Sequence, residues 1–250
     1  MLKLWPLLFL LLASGCAHKP GQGAAISPNE VESRMNLAKM YLVEAEPRSA
    51  LEQLRIIEHQ AKNNPRLHFF LGAAYELLNN HEQSAKAYER AVALDPAFGD
   101  AWNNLGQVRK AMGEFEAACS AFKQALAIKE YMTPEFAAYN MASLFAEQGK
   151  FDQALAYSKL GMEKNSRYIP LYPQSAELLR MTSRANEAVE ILRRGILARP
   201  ESIKLRLMLA KELLRLGREQ EARKWFLQTI EQDPESDEAE TAAHYLEVLR

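Results

Sequence analysis

The chain of 250 residues has few cysteines, glycines and prolines, and neither charge sign is in excess. Its two cysteines, Cys16 and Cys119, are too few for the disulfide framework of a small secreted domain. With 11 glycines and 11 prolines the composition is far from that of collagen or of a disordered segment. A formal net charge of −1 excludes a polybasic nucleic-acid-binding protein. The 48% of hydrophobic residues can instead bury a sizeable core, which indicates a globular chain.

The sequence also lacks the common catalytic motifs. It contains no HExxH, no GxSxG, no phosphate-binding loop of the Walker type and no GxGxxG between a strand and a helix. Among the five histidines, His59, His68 and His81 come nearest to a cluster, but they lack one-face spacing and neighbouring cysteines. We therefore predict a protein that is not an enzyme, with no catalytic residue, no metal site, no cofactor and no small-molecule substrate.

The longest apolar run lies at the N-terminus and is short. It extends from Leu4 to Leu12 after the single cation Lys3, whereas a membrane-spanning helix needs roughly 20 residues. Small residues, Ala-Ser-Gly, follow the run and lead directly into Cys16. This order is that of an export signal peptide, which we place at residues 1–15.

The junction at Cys16 resembles the lipobox of bacterial lipoproteins, in which the cysteine is acylated and becomes the mature N-terminus. The resemblance implies lipidation at Cys16, an acyl anchor in the membrane and a flexible tether over residues 16–29. Because Ala17, rather than Asp, follows the cysteine, it also implies an outer-membrane protein that faces the periplasm. The alternative is an ordinary secretory signal with a chance cysteine.

From residue 30 onward the sequence repeats with a period of 34 residues. Leu71-Gly72 recurs as Leu105-Gly106, and Pro200 recurs as Pro234. The order of a large residue, Leu-Gly, Ala, an aromatic residue, Ala and Pro resembles the tetratricopeptide repeat (TPR), a helix-turn-helix unit. The resemblance implies an all-α, right-handed superhelical array of about six repeats over residues 30–234, closed by a capping helix over 235–250. One repeat alone buries too little to fold, so neighbouring repeats must stack.

The first helices of such an array line a concave groove, where we expect a protein partner to bind. Counting positions along repeats two to four places a set of aromatic, amide and basic side chains there. The predicted partner-binding residues are Phe69, Phe70, Asn103, Asn104, Gln107, Lys110, Phe136, Tyr139 and Asn140. Core packing is the alternative for the aromatic residues, and a capped or solvated surface is the alternative for the amides. If both amides are open, changing Asn103 and Asn104 together to Asp weakens partner capture without unfolding.

The join between repeats three and four resembles the type IV pilus biogenesis and stability lipoproteins, the PilF/PilW/Tgl pilotin family. The features are Phe98-Gly99 before a helix, Asn103-Asn104 ahead of Leu-Gly, and a longer join from Tyr131 through Pro134 to Asn140. The resemblance implies a pilotin that binds the type IV pilus secretin and promotes its outer-membrane localisation and multimer assembly. The alternative is a general envelope TPR adaptor lipoprotein, serving outer-membrane protein assembly or peptidoglycan enzymes.

Overall fold

The computed structural model describes residues 26–249, so the predicted signal peptide and Cys16 lie outside the described residues. Within this range the chain forms thirteen α-helices and no strand, which confirms the predicted all-α array. The helices are α1 Pro28–Val43, α2 Pro47–Ile57, α3 Pro65–Leu77, α4 His81–Leu94, α5 Gly99–Ala111, α6 Phe115–Ala127, α7 Pro134–Glu147, α8 Phe151–Lys164, α9 Leu171–Met181, α10 Ala185–Ala198, α11 Ile203–Arg215, α12 Glu219–Gln232 and α13 Asp237–Val248.

Helix α1 begins two residues earlier than the sequence predicts. The side-chain oxygen of Ser27 accepts a hydrogen bond from the backbone N–H of Glu30 at 3.2 Å, and Pro28 occupies the first helical turn. A serine cap followed by proline is a strong helix start, because proline lacks the N–H that would otherwise be unsatisfied there. The tether predicted over 16–29 is therefore too long at its C-terminal end.

The twelve helices α1 to α12 form six consecutive pairs, and each pair turns through one residue with positive φ. These residues are Ala45, Asn79, Gly113, Gly149, Ser183 and Gly217. They lie 34 residues apart, except between Gly113 and Gly149, where the spacing is 36. The two extra residues belong to the longer join between repeats three and four. The same left-handed conformation thus closes every helix pair, although only three of the six residues are glycines.

Small residues on the first helix let the second helix approach closely. A Cβ added at Gly72 would lie 2.6 Å from the Tyr88 ring, and one added at Gly106 would lie 2.5 Å from the Phe122 ring. Tyr88 and Phe122 are both fully buried. The Leu-Gly pairs of the sequence are therefore packing positions between the two helices of a repeat.

The first helices form the inner layer of the array. Helices α1 and α3 contact each other, as do α5 and α7, and all four are first helices of their repeats. Within residues 26–249, second helices of neighbouring repeats contact each other less than these pairs do. Elements on the inside of an arc lie closer together than those on the outside. The first helices therefore line the concave face, and the second helices form the convex face. No helix in the described range is long and apolar enough to cross a membrane.

The turn at Ala45 gives a stability prediction. Ala45 has φ 57° and is exposed, so its Cβ strains the backbone without packing against a neighbour. We expect Ala45→Gly to raise the free energy of unfolding by about 0.5–1 kcal/mol, measured by denaturant titration. The matched control is Ala117→Gly, an exposed position inside α6, which should lower it by up to about 1 kcal/mol. Destabilisation by both changes would contradict the strain at Ala45.

Candidate functional site

One structural position of the first helices carries a different type of side chain in each of the first four repeats. The side chains that occupy it on α1, α3, α5 and α7 are Met35, Phe69, Asn103 and Tyr139. The surface built around them has three parts, which we call the aromatic pocket, the amide chain and the tyrosine patch. Each part is made by neighbouring repeats together, so its geometry depends on their stacking.

The aromatic pocket is a cavity of about 490 Å³ on the concave side of repeats one to three. The ring of Phe69 lies with its centroid 4.8 Å from that of Phe98 and 5.7 Å from that of Tyr88. The lining residues are Lys39, Asn64, Pro65, Arg66, Phe69, Phe70, Asp95, Phe98 and Asp100. An aromatic floor inside a rim of both charge signs suits one large apolar side chain flanked by polar groups.

Phe70 plays a different part from the one that the sequence predicts. Only 7% of its side chain is exposed, and it belongs to the hydrophobic core of repeats one and two. Phe69 is partly exposed and forms the pocket floor. Phe70 is therefore mainly a core residue that contributes only a small exposed part to the pocket lining, because adjacent residues on a helix point about 100° apart and its side chain points further into the core than that of Phe69.

The amide chain is a continuous series of hydrogen bonds across repeats two, three and four. The Tyr88 hydroxyl donates to Glu76 Oε2 at 2.8 Å, and Asn104 Nδ2 donates to the Tyr88 oxygen at 3.3 Å. Asn103 Nδ2 donates to Asn104 Oδ1 at 3.3 Å, and Asn140 Nδ2 donates to Asn103 Oδ1 at 2.9 Å. These bonds fix the first helices of three successive repeats relative to one another.

Asn103 is buried within this chain. Its exposed fraction is 4%, whereas Asn104 and Asn140 are partly exposed. The prediction that Asn103 and Asn104 both open onto the groove is therefore wrong for Asn103, which bridges α5 and α7. The hydrogen bonds of Asn103 satisfy a buried amide. Changing Asn103 and Asn104 together to Asp would therefore lower stability as well as weaken binding.

At the other end of the chain, Glu76 is partly buried. Burial raises the pKa of this carboxyl above its ordinary value of 4.5, against the opposing effects of the Tyr88 hydrogen bond and of His81. A carboxyl whose pKa is raised on folding stabilises the protein below its unfolded pKa, and this contribution is lost as the pH rises through the folded pKa.

We therefore expect the melting temperature of Glu76→Gln, relative to that of the wild type, to be higher at pH 7 than at pH 4. A glutamine keeps an oxygen for the Tyr88 hydroxyl and carries no charge to desolvate. Melting curves of both proteins at the two pH values measure the effect. An equal change in both proteins would mean that Glu76 does not titrate differently on folding.

Gln107 and Lys110 lie on the groove side of α5. Gln107 Nε2 donates to Asn104 Oδ1 at 3.4 Å, and Lys110 forms an ion pair with Glu147 of α7 at 2.5 Å. Both side chains are partly exposed. Gln107 thus keeps an accessible amide, while the charge of Lys110 is shared with the neighbouring repeat.

The tyrosine patch consists of Phe136, Tyr139 and Tyr168. Phe136 is 38% exposed, and its ring centroid lies 5.0 Å from that of Tyr168. Tyr139 meets Tyr168 edge to face at 5.9 Å. Sequence reasoning missed Tyr168, because it lies in the join between α8 and α9, where the helical period gives no signal. Sequence reasoning also assigned no role in the groove to Tyr88 or Glu76.

Within residues 26–249 no group of three or more His, Cys, Asp and Glu side chains could hold a metal ion.

The largest pKa shift among the tyrosines is at Tyr88, where burial and the nearby Glu76 raise the pKa of the hydroxyl. The Tyr88 hydroxyl therefore stays protonated at neutral pH. It donates to Glu76 in its own repeat and accepts from Asn104 in the next repeat.

Comparison with known sequence families identifies the repeats. A TPR repeat family matches residues 77–113, and tetratricopeptide repeat families match residues 99–131 and 179–243. The chain is therefore a tetratricopeptide-repeat array. Arrays of this kind present extended concave surfaces for binding, and the fold is a protein-interaction scaffold.

Two solved structures with the same fold cover most of this chain. PilW, described as a widely conserved type IV pilus biogenesis factor, is 20% identical, with a TM-score of 0.68 over 87% of this chain and 100% of that one. PilF of Pseudomonas aeruginosa is 16% identical, also with a TM-score of 0.68, over 87% of this chain and 98% of that one. At this identity the likeness concerns the fold.

A curated relative is the human protein O-mannosyl-transferase TMTC2, which is 33% identical over 99 residues. The match covers 38% of this chain and 12% of the transferase. The chain thus spans a small part of that protein.

Proposed function

We propose that the protein is an outer-membrane lipoprotein that acts as a pilotin. It binds the type IV pilus secretin through the concave groove of repeats two to four and promotes assembly of the secretin multimer in the outer membrane. The observation that carries the proposal is the likeness to PilW and PilF, which extends over 100% and 98% of those chains. The segment from Phe98 to Asn140, which resembles the pilotin family in sequence, contributes Phe98 to the aromatic pocket, three asparagines to the amide chain and two aromatic residues to the tyrosine patch.

The groove supports this proposal chemically. The aromatic pocket offers a place for an apolar anchor, and the partly exposed amides of Asn104 and Gln107 can bond to the backbone of a bound segment. The amide chain holds the three repeats in register before binding. A partner therefore meets a preformed surface, which lowers the entropic cost of association.

The anchor belongs to the same proposal and concerns Cys16, outside the described residues. We expect Cys16→Ala to abolish labelling with radioactive palmitate and to release the protein from outer-membrane fractions, because acyl chains would no longer hold it there. Labelling in whole cells followed by membrane fractionation measures both effects. Labelling that persists in the variant would contradict lipidation at this residue.

The proposed role is tested in a strain that lacks the protein. Secretin multimers in the outer membrane are quantified after complementation with the wild type, with a groove variant or with a control variant. The groove variant combines Phe136→Ala with Gln107→Ala. The control, Phe115→Ala, removes an aromatic ring of similar exposure, 36% against 38%, from the start of α6, a second helix.

We expect the wild type and the control to restore multimers and the groove variant to restore fewer, at equal protein abundance. Normal multimers in the deletion strain itself would contradict the pilotin role and favour a general envelope adaptor. Equal rescue by all three proteins would place secretin binding on another surface.

A further inference from the structure

Repeat five has a serine where the other repeats have a long apolar side chain. Ser175 is 1% exposed, and its hydroxyl donates to the backbone oxygen of Leu171 at 2.7 Å. The residues at the same position of the other five repeats are Leu37, Leu71, Leu105, Met141 and Leu209. The side-chain volume that fills this position elsewhere is thus missing where α8, α9 and α10 meet.

A cavity of about 400 Å³, which we call the outer groove, opens at this position. Its apolar lining comes from Leu155 and Met162 of α8, Leu179 of α9 and Ile191 of α10, and Ser175 lies at its base. Since α8 and α10 are second helices, the outer groove faces away from the concave surface. A second binding surface there would be independent of the first.

The acidic side chains around the outer groove have close basic neighbours, whereas two of its basic side chains have no close acidic neighbour within residues 26–249. Glu187 pairs with Arg184 at 2.7 Å, and Glu190 lies 3.7 Å from Arg193. Both acidic side chains of the lining therefore have a basic neighbour.

Two cations of the lining remain available. Lys159 is 75% exposed, and its nearest carboxylate, that of Glu163, is 4.0 Å away. Arg194 is exposed and makes no ion pair with any residue of the described range 26–249. The groove thus presents an apolar floor beside two cations that can each pair with a partner's carboxylate.

We propose that the outer groove binds an acidic amphipathic helix of a partner protein. A furrow between two helices takes a third helix through apolar residues at positions i, i+3, i+4 and i+7. Glutamates on the flanks of that helix would reach Lys159 and Arg194. The serine that opens the groove and the two exposed cations beside it, of which Lys159 has only a distant carboxylate neighbour, carry the inference, which goes beyond the proposed binding of a secretin in the concave groove.

The probe is a synthetic helical peptide of about 18 residues, with leucines at that spacing and glutamates on both flanks. A matched peptide carries lysine in place of every glutamate. Binding of each labelled peptide to the full-length protein is measured by fluorescence anisotropy. We expect the glutamate peptide to bind at least roughly tenfold more tightly than the lysine peptide, because only its charges complement the rim.

Two variants locate the binding. Lys159→Glu combined with Arg194→Glu should weaken the glutamate peptide roughly tenfold. Lys86→Glu combined with Lys123→Glu changes the net charge equally at exposed positions of α4 and α6 and should leave binding unchanged. Ser175→Leu should fill the base of the groove and weaken both peptides while the melting temperature holds or rises.

Three results would overturn the proposal. They are the absence of saturable binding, equal affinity for the two peptides, and equal loss in the rim variant and its charge-matched control. The concave variant Phe136→Ala with Gln107→Ala should bind the glutamate peptide normally. Failure of the proposal for the outer groove is therefore distinguishable from failure of secretin binding in the concave groove.

Discussion

Phe122→Ala is expected to lower the free energy of unfolding by about 3–5 kcal/mol, the usual cost of truncating a fully buried aromatic ring. Phe122 is 0% exposed and packs within the core of repeats three and four, against the space that Gly106 leaves open. Its removal leaves a cavity at the middle of the array, where both neighbouring repeats depend on it. Denaturant titration followed by circular dichroism measures the change.

The control for this experiment is Phe115→Ala, which truncates the same residue type on the same helix at 36% exposure. It should cost clearly less, because part of its ring is already in water. Equal loss in the two variants would contradict the packing of Phe122. In a repeat array, loss of one interface can also split the unfolding transition into two, which the same titration would reveal.

Asn103→Asp is expected to lower the free energy of unfolding by about 2–3 kcal/mol, since it leaves a charge buried and removes a donor. An aspartate can still accept from Asn140, but its carboxylate would face Asn104 Oδ1, to which Asn103 Nδ2 now donates. Two acceptors would then oppose each other inside the array. The loss should diminish at acidic pH, where the carboxyl is protonated and can donate.

Asn104→Asp is the matched comparison, because Asn104 is partly exposed and water can reach its side chain. Denaturant titration of the two variants at pH 4 and pH 7 separates the effects. Equal losses at pH 7 would mean that the burial of Asn103 carries no special cost. Reduced partner capture by the double variant is therefore interpretable only beside its stability.

The repeat period can be predicted from the sequence because it reflects packing that recurs in every repeat. Gly72 and Gly106 lie under rings that need the same space, so the same pair of residue types recurs after 34 residues. The capping helix is similarly legible, since Ser236 precedes an acidic first turn and its hydroxyl accepts from the N–H of Ala239. These features depend on contacts that are short in sequence or identical between repeats.

Contacts between different repeats are harder to predict from the sequence. Trp102 holds the large-residue position of its repeat, yet it is partly exposed, with its indole N–H donating to the backbone oxygen of Pro96 at 3.0 Å. Asn103 is buried because Asn140 of the next repeat reaches it. A single repeat pattern cannot show such bonds, because their geometry depends on the stacking angle between units.

The longer join between repeats three and four illustrates both cases. The extra residues are visible in the sequence as a 36-residue spacing, but their use is visible only in the structure. Tyr131 turns back from the join, is 8% exposed and packs its ring against Gly99 at the start of α5. Burial raises the pKa of the Tyr131 hydroxyl to about 12. The join is thus a packed element, with its aromatic residue inserted between repeats.

The most direct test of the central claim is site-specific photocrosslinking in cells that assemble pili. A photoreactive phenylalanine analogue replaces Gln107, on the concave groove, or Lys123, exposed on the second helix of the same repeat. After irradiation, the crosslinked partner of the full-length protein is identified by mass spectrometry. Secretin binding in the concave groove predicts secretin adducts from position 107 and none from position 123. Secretin adducts that are absent at 107, or equally abundant at both positions, would contradict it.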